Sequence, residues 1–291
     1  MNIFKIIFEK NETMKKIIFI TLISSSLTFS QIQTPQASPS AKIEQTVGLT
    51  KVSVVYSRPA MRGRVIMGDL VPYGAIWRTG ANANTKITFS DDVKIGGGIL
   101  KAGTYAIYTR PNNLTWDIYF YTKYDNWNVP KKWDESKVAT QLRVNTNSIK
   151  PSVENFTISI DKITNNSAVL KFSWENTQIS VPFEVPTDKK TMASIEEVMR
   201  ENPNWRDYYN AAIYYRESNR DLEKAKEWMA KAIELDGGKY FVYRQQALIL
   251  AALNDKKGAI VASKKSLELA KKEGNQDYIR LNTKAIKEWS N

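Results

Sequence analysis

GTYAIYTRPNNLTWDIYFY, Gly103–Tyr121, decides the fold of the first half of the chain. Gly103–Thr109 and Thr115–Tyr121 are rich in β-branched and aromatic residues that alternate with a period of two, which is the mark of a strand. Arg110-Pro111-Asn112-Asn113 separates them with residues that favour turns. Outward from this hairpin the same signal recurs. Lys51–Tyr56, Lys86–Phe89 and Val93–Ile95 precede it, and Val138–Val144, Val153–Ile160, Ala168–Trp174 and Gln178–Val185 follow. Gly96-Gly97-Gly98 is read as a hairpin turn, because Leu100–Tyr105 continues as strand where a dinucleotide loop requires a helix. No helical period competes between residues 41 and 186, so this half is expected to be an all-β sandwich of about nine strands.

Pro186 marks a change. From Thr187 onward the apolar residues recur with the helical period. Ser194-Ile195-Glu196-Glu197 has the form of a capping box opening a short helix that Asn202-Pro203 ends. Apolar stripes follow at Tyr208/Ala212/Tyr215, Leu222/Ala225/Met229/Ala232, Tyr243/Ala247/Leu250, Ile260/Ser263/Leu267/Ala270 and Tyr278/Leu281/Ala285/Trp289. Ala225 and Ala259 stand one repeat apart, as do Ala232 and Ser266, at the 34-residue spacing of a helix–turn–helix unit. This segment resembles a tetratricopeptide repeat of two units plus a capping helix, without the terminal proline. As a chain the protein is expected to be α+β, a β-sandwich over 41–186 followed by an all-α helical-hairpin repeat domain over 187–291.

The chain of 291 residues contains no cysteine and no histidine. That excludes disulfides, thiolate metal sites, a lipoprotein anchor, histidine-ligated zinc and any histidine general base. Lys15-Lys16, the apolar run Ile17–Phe29 and the small residues before Gln31 have the form of a secretory signal over 1–30, with Met14 as the expected true start. The run is too short to span a bilayer, so no transmembrane segment is expected. Gln31–Ser40 (QIQTPQASPS) is read as a linker. The expected location is periplasmic or extracellular. The net charge of +12 is spread along the chain, and with export this argues against nucleic acid as a partner.

Between the first two expected strands lies the longest irregular stretch, Tyr56–Thr85 (YSRPAMRGRVIMGDLVPYGAIWRTGANANT). It holds Arg58, Arg62, Arg64 and Arg78 against one acid, Asp69, and is too aromatic to be disordered. The planar guanidinium suits carboxylate, phosphate or sulfate. The candidate ligand-binding set is Arg58, Arg62, Arg64, Trp77, Arg78, Asn82 and Thr85. The backbone amides of Gly80–Thr85 are expected to add donors, and Tyr73 and Trp77 to stack on a ring. The competing reading is that Arg58 and Arg78 bond to loop carbonyls and to Asp69, pinning the loop.

Tyr56-Ser57-Arg58-Pro59, Arg62-Gly63-Arg64, Gly68, Val71-Pro72-Tyr73-Gly74, Trp77-Arg78, Gly80-Ala81-Asn82, Thr85 and Ala102-Gly103-Thr104-Tyr105 are the residues by which the chain resembles the bacterial domain of unknown function 2911 family. The resemblance covers about residues 40–186. It implies an exported protein of Bacteroidetes-type bacteria with a helical C-terminal segment, and it implies no activity.

No cofactor or metal motif stands out, and Asp91-Asp92 are read as turn residues. Trp116, Trp174, Trp228 and Trp289 are expected in cores. Tyr124, Trp127 and Trp133 lie in a looser segment and are read as a possible sugar platform. Tyr208, Tyr209, Tyr214 and Tyr215 offer a peptide groove, against which packing of the helices is the preferred reading. The leading expectation is an exported binding or structural protein whose β half takes an anionic or carbohydrate ligand through Tyr56–Thr85. One alternative is an assembly scaffold that docks a protein partner on the helical repeats. The other is a carboxylate-dependent hydrolase of envelope glycans using a pair among Asp69, Asp117, Asp125, Asp134 and Glu154, none diagnostically spaced.

Overall fold

The computed structural model describes residues 34–290 except Gly237. The expected signal over 1–30 and the start at Met14 lie outside them. Among the described residues the chain forms nine strands and then six helices, the α+β order expected. The strands are β1 Ser40–Val47, β2 Thr50–Ser57, β3 Thr85–Phe89, β4 Val93–Ile95, β5 Gly98–Leu100, β6 Gly103–Pro111, β7 Thr115–Tyr121, β8 Val138–Asp161 and β9 Ser167–Glu184. They make one antiparallel sheet in the order β1-β2-β3-β6-β7-β8-β9-β4-β5.

The sheet is folded on itself along β8. Val138–Asn145 pairs with β7, and from Thr146 the same strand pairs with β9. Both arms feed one core, with Val52, Val54, Ile107 and Ile118 from the first and Phe156, Leu170, Phe172 and Val181 from the second. Each such side chain contributes about 1.5–3 kcal/mol by leaving water.

The strand total matches expectation while its members differ. Val138–Val144 and Val153–Ile160 are one strand, β8, and Ala168–Trp174 and Gln178–Val185 are one strand, β9. The polar run between the first pair has the composition of a loop. It remains strand where the two layers diverge, exposed along most of its length, with register shifts that accommodate Pro151. Two strands went unread. Edge strand β1 has polar alternation and starts at Ser40, the last residue of the expected linker, and β5 takes Gly98 out of the expected triglycine turn. The hairpin turn itself is Gly96-Gly97, both with positive φ.

A second, smaller core lies on the other face of β6 and β7. Ala106, Tyr108, Tyr119 and Tyr121 are covered there by Val129 and Trp133. Trp133 is therefore packing material, its ring 4.8 Å from that of Tyr121.

The helices are α1 Thr187–Arg200, α2 Trp205–Glu217, α3 Leu222–Asp236, α4 Tyr240–Ala252, α5 Lys256–Lys272 and α6 Gln276–Trp289. Helix α1 starts at Thr187, so Ser194 lies inside it. The capping box is one helix later, where the side chains of Asn204 and Asp207 cap α2 reciprocally. The 34-residue spacing has a physical basis: Ala225 and Ala259, and likewise Ala232 and Ser266, are fully buried where neighbouring helices meet. In α6 the inward position is Asn282 rather than Leu281, and its amide donates to the Ser266 hydroxyl (2.7 Å). Tyr209, Tyr214 and Tyr215 are engaged within the array by Phe241, Asp188 and Trp228 respectively. No described helix is long and apolar enough to cross a membrane.

Among the described residues, the hydrogen bonds that join the two halves come from α1. Lys190 pairs with Asp91 (2.7 Å) and donates to the Leu49 carbonyl (3.4 Å), while the Thr187 hydroxyl accepts from Leu49 N (3.4 Å). Burial pushes the Asp91 carboxyl up, but donors from Lys190, Ser90 and Thr50 outweigh it and hold its pKa below the usual aspartate value. A depressed folded-state pKa stabilises the fold above the unfolded value, about 4 for aspartate, and that contribution disappears as pH falls through the folded value. Limited proteolysis of the 184–190 junction between pH 6 and pH 2.5 is expected to speed up below about pH 4, and Asp91→Asn is expected to remove that acid step. An acid step of equal size in the variant would count against this account.

Candidate functional site

Tyr56–Thr85 leaves β2 and is at once fastened to the far arm of the sheet. Met61 N donates to Glu154 O, Phe156 N donates to Pro59 O, and Ala60 bridges Asn155, so the loop's first residues act as a short extra strand beside β8. Two carboxylates take further loop amides. Glu154 accepts from Arg62 N (2.9 Å) and Glu175 from Met67 N (3.3 Å).

Three of the four guanidiniums face carbonyl groups. Arg58 donates from Nε to Phe156 O (3.1 Å) and from Nη2 to the Thr157 hydroxyl (2.7 Å). Arg62 donates to Ala37 O (3.0 Å), and Arg64 donates to Met61 O (2.9 Å) and Ala60 O (2.6 Å). Arg78 differs. Its Nη1 donates to Asn128 Oδ1 (2.7 Å) while its Nε is buried without an acceptor, and burial holds its pKa below the usual arginine value. Among the described residues none of the four has a carboxylate within ion-pair distance, and Asp69 joins no ion pair. Of the expected clamp, Arg58 finds a carbonyl on β8 rather than in the loop and Arg78 finds a side-chain amide, and among the described residues neither pairs with Asp69.

Arg64 and Arg78 both line a concavity of about 270 Å³. Its aromatic side is Trp77 on Trp174, stacked at 5.9 Å with 19° between the planes, and Leu70, Val71 and Pro59 complete the apolar lining. Phe156 and Trp116 meet the Trp77 ring edge-on from below. The Trp77 indole also donates to Gly80 O (3.1 Å), so the ring is a wall of the concavity and has no free face for stacking a ligand between itself and Trp174.

The remaining expected residues hold the loop together. Thr85 is fully buried with its hydroxyl on Thr79 O, and Asn82 donates to Ser38 O (3.1 Å) and reaches the Ser57 hydroxyl. The amides of Asn84 and Thr85 go to Asn126 O and Arg78 O, which leaves neither for an anion nest. Thr79 is β-branched yet sits at φ +58, a conformation costing about 1–3 kcal/mol that persists only where surroundings impose it. Hydrogen bonds to the Thr109 hydroxyl and from Thr85 impose it here, and they aim Arg78 at Asn128.

Sequence reasoning missed several contributors. Ala37–Pro39, read as linker, supplies carbonyls to Arg62, Asn82 and Arg58 N, and Ser38 lines the concavity. Asn128, in the segment after β7, and Trp174 and Glu175 on β9 also build or brace the site. Of the five acids proposed for hydrolysis, Asp117 accepts from Nε and Nη2 of Arg143 (2.6 and 3.2 Å), Asp134 caps a turn at Ser136, and Glu154 accepts from Arg62 N. Asp91 and Asp92 are likewise taken, by Thr50 and Lys190 and by Lys101 and Ala102 N.

No curated protein and no solved structure matches the chain. The family described as "Protein of unknown function (DUF2911)" matches residues 38–183, half of the chain, from the carbonyl-donating segment before β1 to the end of β9. That span contains the whole arginine loop and all of its braces except Ala37, and the chain belongs to this family.

Proposed function

We propose that the β half is a binding module that holds a small anionic group between Arg64 and Arg78, and that the protein works outside the cytoplasm. The observation that carries the reading is charge without compensation. Four guanidiniums stand in one loop with no carboxylate among the described residues near enough to pair, and two of them share a concavity with an apolar wall. Desolvating a guanidinium is costly unless an anion or a full set of acceptors repays it. Arg58, Arg62 and Arg64 have carbonyl acceptors, whereas Arg78 has one amide oxygen and an unpaired Nε. A bound carboxylate or sulfate supplies the missing charge, and Arg is the side chain suited to take it.

Titration calorimetry at low salt with acetate, sulfate and inorganic phosphate tests this. Saturable binding of at least one anion is expected, with Arg78→Gln abolishing it and leaving the unfolding midpoint unchanged or higher, since the variant no longer desolvates a cation. Arg58→Ala is expected to do the reverse. It costs about 1.5–3 kcal/mol of stability, the usual worth of hydrogen bonds from a charged donor, and preserves affinity. No saturable binding in the wild type, or unchanged binding in Arg78→Gln, overturns the proposal.

A further inference from the structure

We propose that the ligand of this site is an acidic saccharide, with its acid group on Arg78 and a sugar ring laid on Trp127. The inference rests on the anion reading above and adds the chemistry of the rest of the ligand. The segment after β7 runs past the arginine loop and is tied to it on either side of Trp127. Asn126 O accepts from Asn84 N (3.2 Å), and Asn128 Oδ1 accepts from Arg78 Nη1 (2.7 Å). The buried Tyr108 hydroxyl binds the same two residues, accepting from Asn126 Nδ2 (3.3 Å) and donating to Asn128 O (3.3 Å). The backbone at Trp127 is therefore pinned from both neighbours, yet its indole is 71% exposed.

That combination is unusual in the β half, where the other tryptophans go to a core. Trp77, Trp116, Trp133 and Trp174 all have aromatic ring partners within 6.0 Å. A rigidly mounted, solvent-facing indole is a surface for a flat partner with an apolar face and polar edges. Tyr124, 43% exposed, lies three residues away. A pyranose ring meets this description, since its C–H groups make an apolar face and its hydroxyls point outward to polar partners. Asn128 has such a partner to offer: its Oδ1 is taken by Arg78 and by Val129 N, and among the described residues its Nδ2 donates to no protein acceptor. A bare phosphate needs neither an indole nor a free amide, and a neutral sugar has no use for Arg78. An acidic sugar uses all three.

The test uses the full chain and three soluble probes, an oligogalacturonate tetramer, its neutral methyl ester and acetate, with phosphatidylglycerol vesicles as a control. The tetramer is expected to bind at least about tenfold more tightly than either of the others, the scale of one well-placed aromatic or charged contact. Trp127→Ala is expected to weaken tetramer binding about tenfold, with acetate affinity and the unfolding midpoint unchanged. The idea is overturned if Trp127→Ala leaves tetramer affinity intact, or if the methyl ester binds as tightly as the acid. It is also overturned if phosphatidylglycerol vesicles, and not the tetramer, are what Trp127→Ala releases. If acetate binds through Arg78 while the tetramer gains nothing, the anion site stands without a sugar platform. If no anion binds, both readings fall.

Discussion

Trp174→Ala is expected to lower the unfolding free energy of the β half by about 3–5 kcal/mol, the range for removing a fully buried indole. Trp174 is 2% exposed and joins three layers of contact. Its ring stacks on Trp77, meets Phe156 edge-on at 5.8 Å, and its Nε1 donates to Glu154 O (3.1 Å). Truncation opens a cavity beneath Trp77 and leaves the Glu154 carbonyl with only the Met61 amide as donor. Because Trp77 is also the wall of the concavity, loop order is expected to fall with stability. Urea unfolding measures the first effect and hydrogen exchange at Trp77–Thr85 the second. A loss under about 1 kcal/mol would mean that the aromatic stack adds little beyond the contacts around it, against the range above.

The second large effect is expected at Gly48, the turn between β1 and β2. Its φ of +55 belongs to the left-handed region, where a side chain costs about 1–2 kcal/mol. A Cβ there would also overlap the Thr187 hydroxyl and the Asn165 carbonyl. Neither is the free end of a long side chain, so the first turn of α1 or the 162–166 turn has to shift, at a further ~1–3 kcal/mol. Gly48→Ala is therefore expected to cost about 2–5 kcal/mol in total. Cleavage at the 184–190 junction is expected to rise sharply, because the displaced residue is the one that starts α1. Wild-type protease resistance in the variant would show that α1 does not depend on this turn.

The strands were legible wherever one face is buried. β2 and β3 alternate buried with more exposed residues, while β6 and β7, covered on both faces, show as runs of β-branched and aromatic residues. Strands failed to show where both faces meet water, as in β1 and the crossover of β8. Polarity there reports exposure and carries no word about backbone pairing. The helical repeat was visible because crossing helices demand small residues at fixed intervals. The inward position of α6 was misread because Asn282 is polar, although its buried amide nitrogen donates to the Ser266 hydroxyl and to Tyr278 O. In the loop, residue type announced cations but not their partners. The carboxylate that accepts from Arg62 N lies 92 residues further along, and nothing local at Glu154 marks it. Trp127 and Trp133 look alike in sequence, and only the fold shows that one covers a core while the other stands in solvent.

The doubling of the sheet along β8 also dictates an order of events in folding. The Tyr56 hydroxyl donates to Ile158 O and accepts from Ile158 N, 102 residues away, and Arg58 finds its acceptor 98 residues on. Contacts of such sequence separation form late, since the closure entropy of the intervening chain must be met before any of them helps. The helical half, built from neighbouring hairpins, has no such wait. A nascent or refolding chain thus carries the arginine loop as an unfastened, strongly cationic segment until the second half of β8 arrives, and the binding concavity comes into being among the last parts of the β half.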